Sequence, residues 1–248
     1  MISRQALIAA AVTTLASGCA ELAPRQDAFE ASGEVIALSG GDAGARGACV
    51  TCHGLKGEGD GHLAPRLAGL DRGYFARQME YYAKGMRAHP QMTWIADNLD
   101  GPAREKLATY YAALPEPALP HGSLPEAGAE PAKQDNCVGA VLYHHGDPSR
   151  ALPSCASCHG SDGRGVGRGN PPVLAQPGPY AIEQLKRWKK GERYGDAGRV
   201  MMRVSRLLDD AEVRQVGGYS PDPRDATAYP ATLAACPAAR RPDPRSGA

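Results

Sequence analysis

Two five-residue stretches carry the chemistry this chain could do: Cys49-Val50-Thr51-Cys52-His53 and, 106 residues further on, Cys155-Ala156-Ser157-Cys158-His159. Two thiols three residues apart can act as a redox pair or as soft metal ligands, and the next histidine adds an imidazole to the same turn of chain. A thioredoxin-like dithiol sits in a βαβ context, of which the sequence gives no sign. A four-cysteine zinc site has roughly 15–20 residues between its cysteine pairs, whereas 102 separate Cys52 from Cys155. The remaining chemistry is covalent haem attachment: both thiols reach vinyl groups, and the histidine lies under the iron.

Chance could produce such a pentapeptide once, but the two lie at matching places in a longer repeat. At the offset of 106, Gly33-Glu34-Val35-Ile36 falls on Gly139-Ala140-Val141-Leu142, and Tyr74, Gln78 and Met79 fall on Tyr180, Gln184 and Leu185. Lys84-Gly85 and Arg87 meet Lys190-Gly191 and Arg193. A three-residue insertion then shifts the offset to 109, which pairs Met92 with Met201, Ile95 with Val204, Leu99 with Leu208 and Tyr110 with Tyr219. Each half therefore holds the same fold.

The elements that position these residues are helical. Tyr74, Gln78, Tyr81 and Tyr82 recur at three and four residues, as do Ile182, Leu185 and Trp188, with Gly85 and Gly191 as closing glycines. A later helix carries Leu107, Tyr110, Tyr111 and Leu114 in the first copy and Val213, Val216 and Tyr219 in the second. Without alternating β-branched runs, the chain reads as all-α: two tandem domains, 30–114 and 136–238, each a few helices around a haem. A Pro/Gly/Ala-rich linker, 115–135, joins them. Only two phenylalanines occur in 248 residues, so the haem must supply much of each core.

With both motifs and the repeat in place, each half resembles a class I c-type cytochrome, and the tandem resembles the two-haem cytochrome c4 family over residues 33–114 and 137–220. The resemblance implies His53 and His159 as proximal ligands, each steadied by the carbonyl of a loop proline. These are Pro65 and, after one extra residue, Pro172, with Gln176 where the first copy has Gly69. It also implies a methionine as the sixth ligand, a soft thioether that favours ferrous iron. Met92 fits the family's distal loop, Met79 reads as core filling, and Met86 has no counterpart. Of the adjacent Met201 and Met202, the register of Val204 and Leu208 selects Met201. His62, His89, His121, His144 and His145 do not recur at the repeat offset and read as solvated or helix-end residues.

The remaining cysteines are Cys19, Cys137 and Cys236. Residues 1–18 read as a signal: Arg4, an apolar run from Ala6 to Ala16, then Ser17-Gly18-Cys19. About eleven apolar residues are too few to span a bilayer. The segment resembles a lipoprotein signal with Cys19 acylated, although Ala16 replaces the usual leucine, and an ordinary cleaved signal is the alternative. Either reading places the mature chain in the periplasm, with any membrane attachment through lipid. An exported protein can oxidise Cys137 and Cys236 to a bridge closing the second domain, the alternative being two unpaired buried thiols.

A formal net charge of +1, from 28 basic and 27 acidic residues, gives no case for nucleic acid. With six ligands on each iron, the expected function is electron transfer between a quinol-oxidising complex or dehydrogenase and a terminal oxidase or reductase. The competing readings are a haem enzyme, such as a di-haem peroxidase or thiosulfate dehydrogenase with one open or cysteine-ligated iron, and a fixed cytochrome subunit of a larger complex.

Overall fold

Gly33 opens the first helix because its backbone must pass close to another: a Cβ there would lie 2.2 Å from the Lys106 carbonyl oxygen. That helix, α1 (Gly33–Ser39), is capped by the Ser32 hydroxyl and crosses α5 (Gly101–Ala113). Between them run α2 (Val50–His53), α3 (Arg72–Ala83) and α4 (Pro90–Asp97). The computed structural model describes residues 31–116, 137–167, 169–222 and 224–236. The expected signal, Cys19 and nearly all of the linker, with His121, lie outside them.

The second copy repeats the order as α6 (Cys137–His144), α7 (Ala156–His159), α8 (Gly178–Lys190), α9 (Val200–Leu207) and α10 (Asp210–Gly217). Gly139 plays the part of Gly33, with the Gln215 carbonyl oxygen 2.6 Å from where its Cβ would stand. Among the described residues there are no strands, only isolated bridges pairing Arg87 with Arg193 and Asp147 with Leu152. The chain is an all-α protein with tandem copies of one helical fold.

The copies end differently. α5 continues through Ala108-Thr109-Tyr110-Tyr111, but α10 stops at Gly217-Gly218, so Tyr219 lies just past the helix expected to carry it. Glycine is a poor helix former, and Pro221 cannot resume the ladder. The chain instead turns back through α11 (Asp225–Ala228) and a 3-10 turn at Leu233–Ala235, both packed on α6. A disulfide joins Cys137, the first residue of α6, to Cys236, with Cα atoms 5.8 Å apart across 99 residues of sequence.

The cores are unequal. Phe75, Met79, Tyr82, Leu107 and Tyr111 belong to the buried cluster of the first copy, with Phe75 and Tyr111 stacked at 5.5 Å. The second copy's cluster is built on Leu142, Leu152, Leu208 and Val213. Each such side chain contributes about 1.5–3 kcal/mol, and ordering one residue of backbone costs about 1–2 kcal/mol. So small a cluster is a lean core for a half of this length.

Candidate functional site

Each attachment motif is one turn of helix. His53 N–H donates to the Cys49 carbonyl at 2.9 Å, His159 N–H to the Cys155 carbonyl at 2.8 Å, and Gly54 and Gly160 end the turns at φ near +80°. A spacing of three sets both thiols of a pair on one side of that turn. Cys52 and Cys158 are exposed, while Cys49 and Cys155 are half-buried. Burial pushes the Cys49 thiol up and the Cys155 thiol up to about 12. A catalytic dithiol needs the opposite, a thiolate favoured near neutral pH. The pairs are therefore suited to permanent thioether bonds and not to thiol–disulfide exchange.

The imidazoles are fixed in the same way in both copies. His53 Nδ1 lies 2.8 Å from the Pro65 carbonyl oxygen, and His159 Nδ1 lies 2.8 Å from that of Pro171. A carbonyl can only accept, so Nδ1 carries the proton and Nε2 keeps its lone pair for a metal. Burial holds both imidazoles below their usual pKa, against an opposing push from the carbonyls, which keeps them neutral and ready to ligate. The expectation of Pro172 is corrected here. The offset of 106 runs unbroken through Pro65 and Pro171, there is no extra residue, and Ala175 instead of Gln176 takes the place of Gly69. Ala175 keeps the left-handed backbone, φ 58° against 73°.

The loops that aim these carbonyls repeat bond for bond. Leu67 and Ala68 N–H share the Gly57 carbonyl at 2.8 and 3.0 Å, as Val173 and Leu174 share that of Gly163 at 2.8 and 2.9 Å. Gly59 N–H donates to the His53 carbonyl at 2.8 Å and Gly165 to that of His159 at 2.8 Å. At φ of 85° and 87° these two glycines run against the loop, where a Cβ would meet the Ala64 and Asn170 carbonyl oxygens at 2.8 and 2.5 Å.

The methionines occupy matching places. His89 caps α4, its Nδ1 accepting the Met92 N–H at 3.3 Å, and Asp196 Oδ2 accepts the Met201 N–H at 2.8 Å. Met92 is half-buried against the first core and shares a face of α4 with Ala96, at a spacing of four. Met201 has the same relation to Ser205 on α9, whereas Met202 lies about 100° around the helix from Met201. Met79 is 4 % exposed in the core, and the Met86 carbonyl accepts the Tyr194 N–H at 3.0 Å. Of the other histidines, His144 Nε2 lies 2.9 Å from the Tyr219 hydroxyl. Among the described residues no cluster of three His, Cys, Asp or Glu side chains could hold a bare metal ion.

Sequence reasoning did not anticipate the seam between the copies. Arg87 donates to Gln78 (2.9 Å), Tyr180 (2.7 Å) and Gln184 (3.1 Å), and Arg193 to Gln184 (2.9 Å), Tyr74 (3.2 Å) and Gln78 (2.9 Å). Both arginines are 4 % exposed, and each stacks on the ring matched by the repeat, Arg87 over Tyr82 and Arg193 over Trp188. The available signal was the kind of residue that the repeat retains. Tyr74, Gln78 and Arg87 align with Tyr180, Gln184 and Arg193, although only Tyr74 packs against a hydrophobic core.

Two thiols and a neutral imidazole with Nε2 free, present in both copies and joined in the second by a lean core, fit a haem in each copy. This is the architecture of a di-haem c-type cytochrome. No family model matches the chain. It is 35% identical over 204 residues to a thiosulfate dehydrogenase electron acceptor of Stutzerimonas stutzeri, covering 82% of this chain and 91% of that one. It is 32% identical over 182 residues to cytochrome c4 of Thiocapsa roseopersicina, covering 72% and 88%. The solved cytochrome c4 of Acidithiobacillus ferrooxidans superposes with a TM-score of 0.58 at 28% identity, over 69% of this chain and 96% of that one. A thiosulfate dehydrogenase, TsdBA of Marichromatium purpuratum, superposes with a TM-score of 0.64 at 37% identity over 75% of this chain, which spans only 39% of that longer chain. The chain belongs to the cytochrome c4 family: it binds two haems covalently and carries electrons.

Proposed function

We propose that His53 with Met92, and His159 with Met201, are the axial ligands, and that the chain accepts electrons from a thiosulfate-oxidising dehydrogenase and passes them to a respiratory partner. The bound haem supplies reversible one-electron chemistry at iron. The protein's own part is to hold the ligand set constant: the Pro65 and Pro171 carbonyls fix the imidazoles, and the caps on Met92 and Met201 fix the start of each distal helix. The observation that carries the reading is the recurrence of this whole set at matching positions in both copies, which leaves neither iron built differently from the other. The name of the S. stutzeri relative supports the choice of donor.

A haem enzyme with a cysteine-ligated iron is the second reading. It is disfavoured because the two cysteines that could supply such a sulfur, Cys137 and Cys236, are bonded to each other. We further propose work in the periplasm, with residues 1–18 as signal and Cys19 as lipid anchor. No helix among the described residues is long and apolar enough to cross a membrane. Spectra of the purified holoprotein test the ligand set. Low-spin haem with the methionine–iron charge-transfer band, halved in Met92→Leu and in Met201→Leu, is expected. A high-spin component with peroxidase turnover would overturn it.

A further inference from the structure

The outer ends of the two copies differ in charge far more than their interiors do. At five positions matched by the repeat, the second copy has Lys186, Lys190, Arg199, Arg203 and Arg206, and the first has Glu80, Lys84, Pro90, Trp94 and Asp97. Four of the five basic residues are exposed, and Lys186 is half-buried. Among the described residues none of the five forms an ion pair: Arg206 Nε donates to the Lys189 carbonyl at 3.3 Å, and Arg203 donates to the Gly198 carbonyl. The acids nearby are mostly engaged. Asp196 holds the Met201 N–H, Asp209 caps α10 and Asp210 pairs with Lys189, which leaves Glu192. In the first copy Glu80 pairs with both Lys84 and Arg104.

Two further features mark this end. The outward stripe of α9 reads Val200, Arg203, Leu207, and its two apolar side chains are 39 % and 37 % exposed, so the charges rim an apolar strip. Arg199 holds a left-handed backbone, φ 53°, directly after Gly198 at φ 63°. Glycine or asparagine would occupy that position with less strain, so Arg199→Asn removes the charge without a backbone penalty.

We infer that the Arg199–Leu207 face of the second copy, with Lys186 and Lys190, is the docking surface for an acidic face of a redox protein, and that the matching face of the first copy is not. An apolar centre within a charged rim is the build of a protein interface, and the rim steers an oppositely charged partner onto it. Met201 lies in the first turn of this same helix, α9, so the haem of the second copy is the port for that partner. The partner's nature rests on the electron-acceptor reading above; the position of the surface does not.

The test uses the full holoprotein and the triple variant Lys186→Gln/Arg199→Asn/Arg203→Gln, with Lys56→Gln/Lys84→Gln in the first copy as control. Oxidation of the reduced protein by ferricyanide, an anionic one-electron acceptor, should slow about tenfold at low ionic strength in the triple variant and lose its salt dependence. The control should stay within about twofold. Reduction by thiosulfate-reduced thiosulfate dehydrogenase should fall in parallel. Arg199→Asn alone should slow both reactions without lowering the melting temperature, an outcome that a purely structural role does not give. Unchanged dehydrogenase rates in the triple variant overturn the docking surface. So does a loss confined to binding phosphatidylglycerol vesicles, which would make the patch a lipid contact. If the dehydrogenase does not reduce even the wild type, the donor assignment fails, and the ferricyanide comparison decides the surface alone.

Discussion

At the scale of residues, the two copies hold each proximal histidine in one tautomer through a backbone atom. That explains what was legible. A cysteine, a histidine or a methionine proposed as a haem ligand works through its side chain, so type and spacing can point to it. The carbonyl facing His159 belongs to the first of two consecutive prolines, and any residue can present a carbonyl, so identity alone pointed to Pro172 when the atom is on Pro171. The shape of the loop depends instead on Gly59 and Gly165. Gly165→Ala should cost more than about 1 kcal/mol, because φ is positive and the Asn170 carbonyl lies in the way, and chemical denaturation of the holoprotein would measure it. Met202→Leu, by contrast, should leave both charge-transfer bands in place, since Met202 lies about 100° around α9 from the proposed ligand Met201.

At the scale of elements, helix period and closing glycines located α3, α5 and α8, but the early end of α10 was harder to read. Its apolar spacing continues to Tyr219, and only Gly217-Gly218 interrupts it. The return of the chain onto α6 could not be read from period at all, since α11 and the turn after it are short and weakly patterned. The cysteine positions alone hinted at it. The disulfide holds that return, and Cys137→Ala/Cys236→Ala should cost about 2–4 kcal/mol, read as a lower denaturant midpoint for the second copy. A second tie is acid-sensitive. Arg150 bridges Asp147, before the attachment helix, and Glu212 on α10. Hydrogen bonds from Ser149 and Arg150 hold the Asp147 carboxyl below the usual carboxylate range. Its contribution is complete above the unfolded value of about 3.9 and is lost as pH falls through the lower folded value. Asp147→Asn should flatten that acid limb in denaturation profiles taken from pH 7 downward.

At the scale of the whole molecule, the halves meet through buried guanidiniums that face amides and phenols instead of carboxylates. Each glutamine carbonyl accepts from both arginines, so one arginine can go while every glutamine keeps a donor. Arg87→Met should cost roughly 1.5–3 kcal/mol. The double variant with Arg193→Met should cost more than the sum of the singles, because the last donors are then lost, and a double-mutant cycle by chemical denaturation would show that coupling. The repeat alignment held Tyr74, Gln78 and Arg87 with their counterparts, but nothing in composition says that matched polar residues face each other. A patch that fits its own repeat also fits the same patch on a separate molecule, which is the isologous contact of a homodimer. A single-copy ancestor could therefore have paired through these three side chains before any duplication. Fusing two such copies turns a pairing that depends on concentration into one that does not, so the two electron sites remain together at dilutions that would part a dimer.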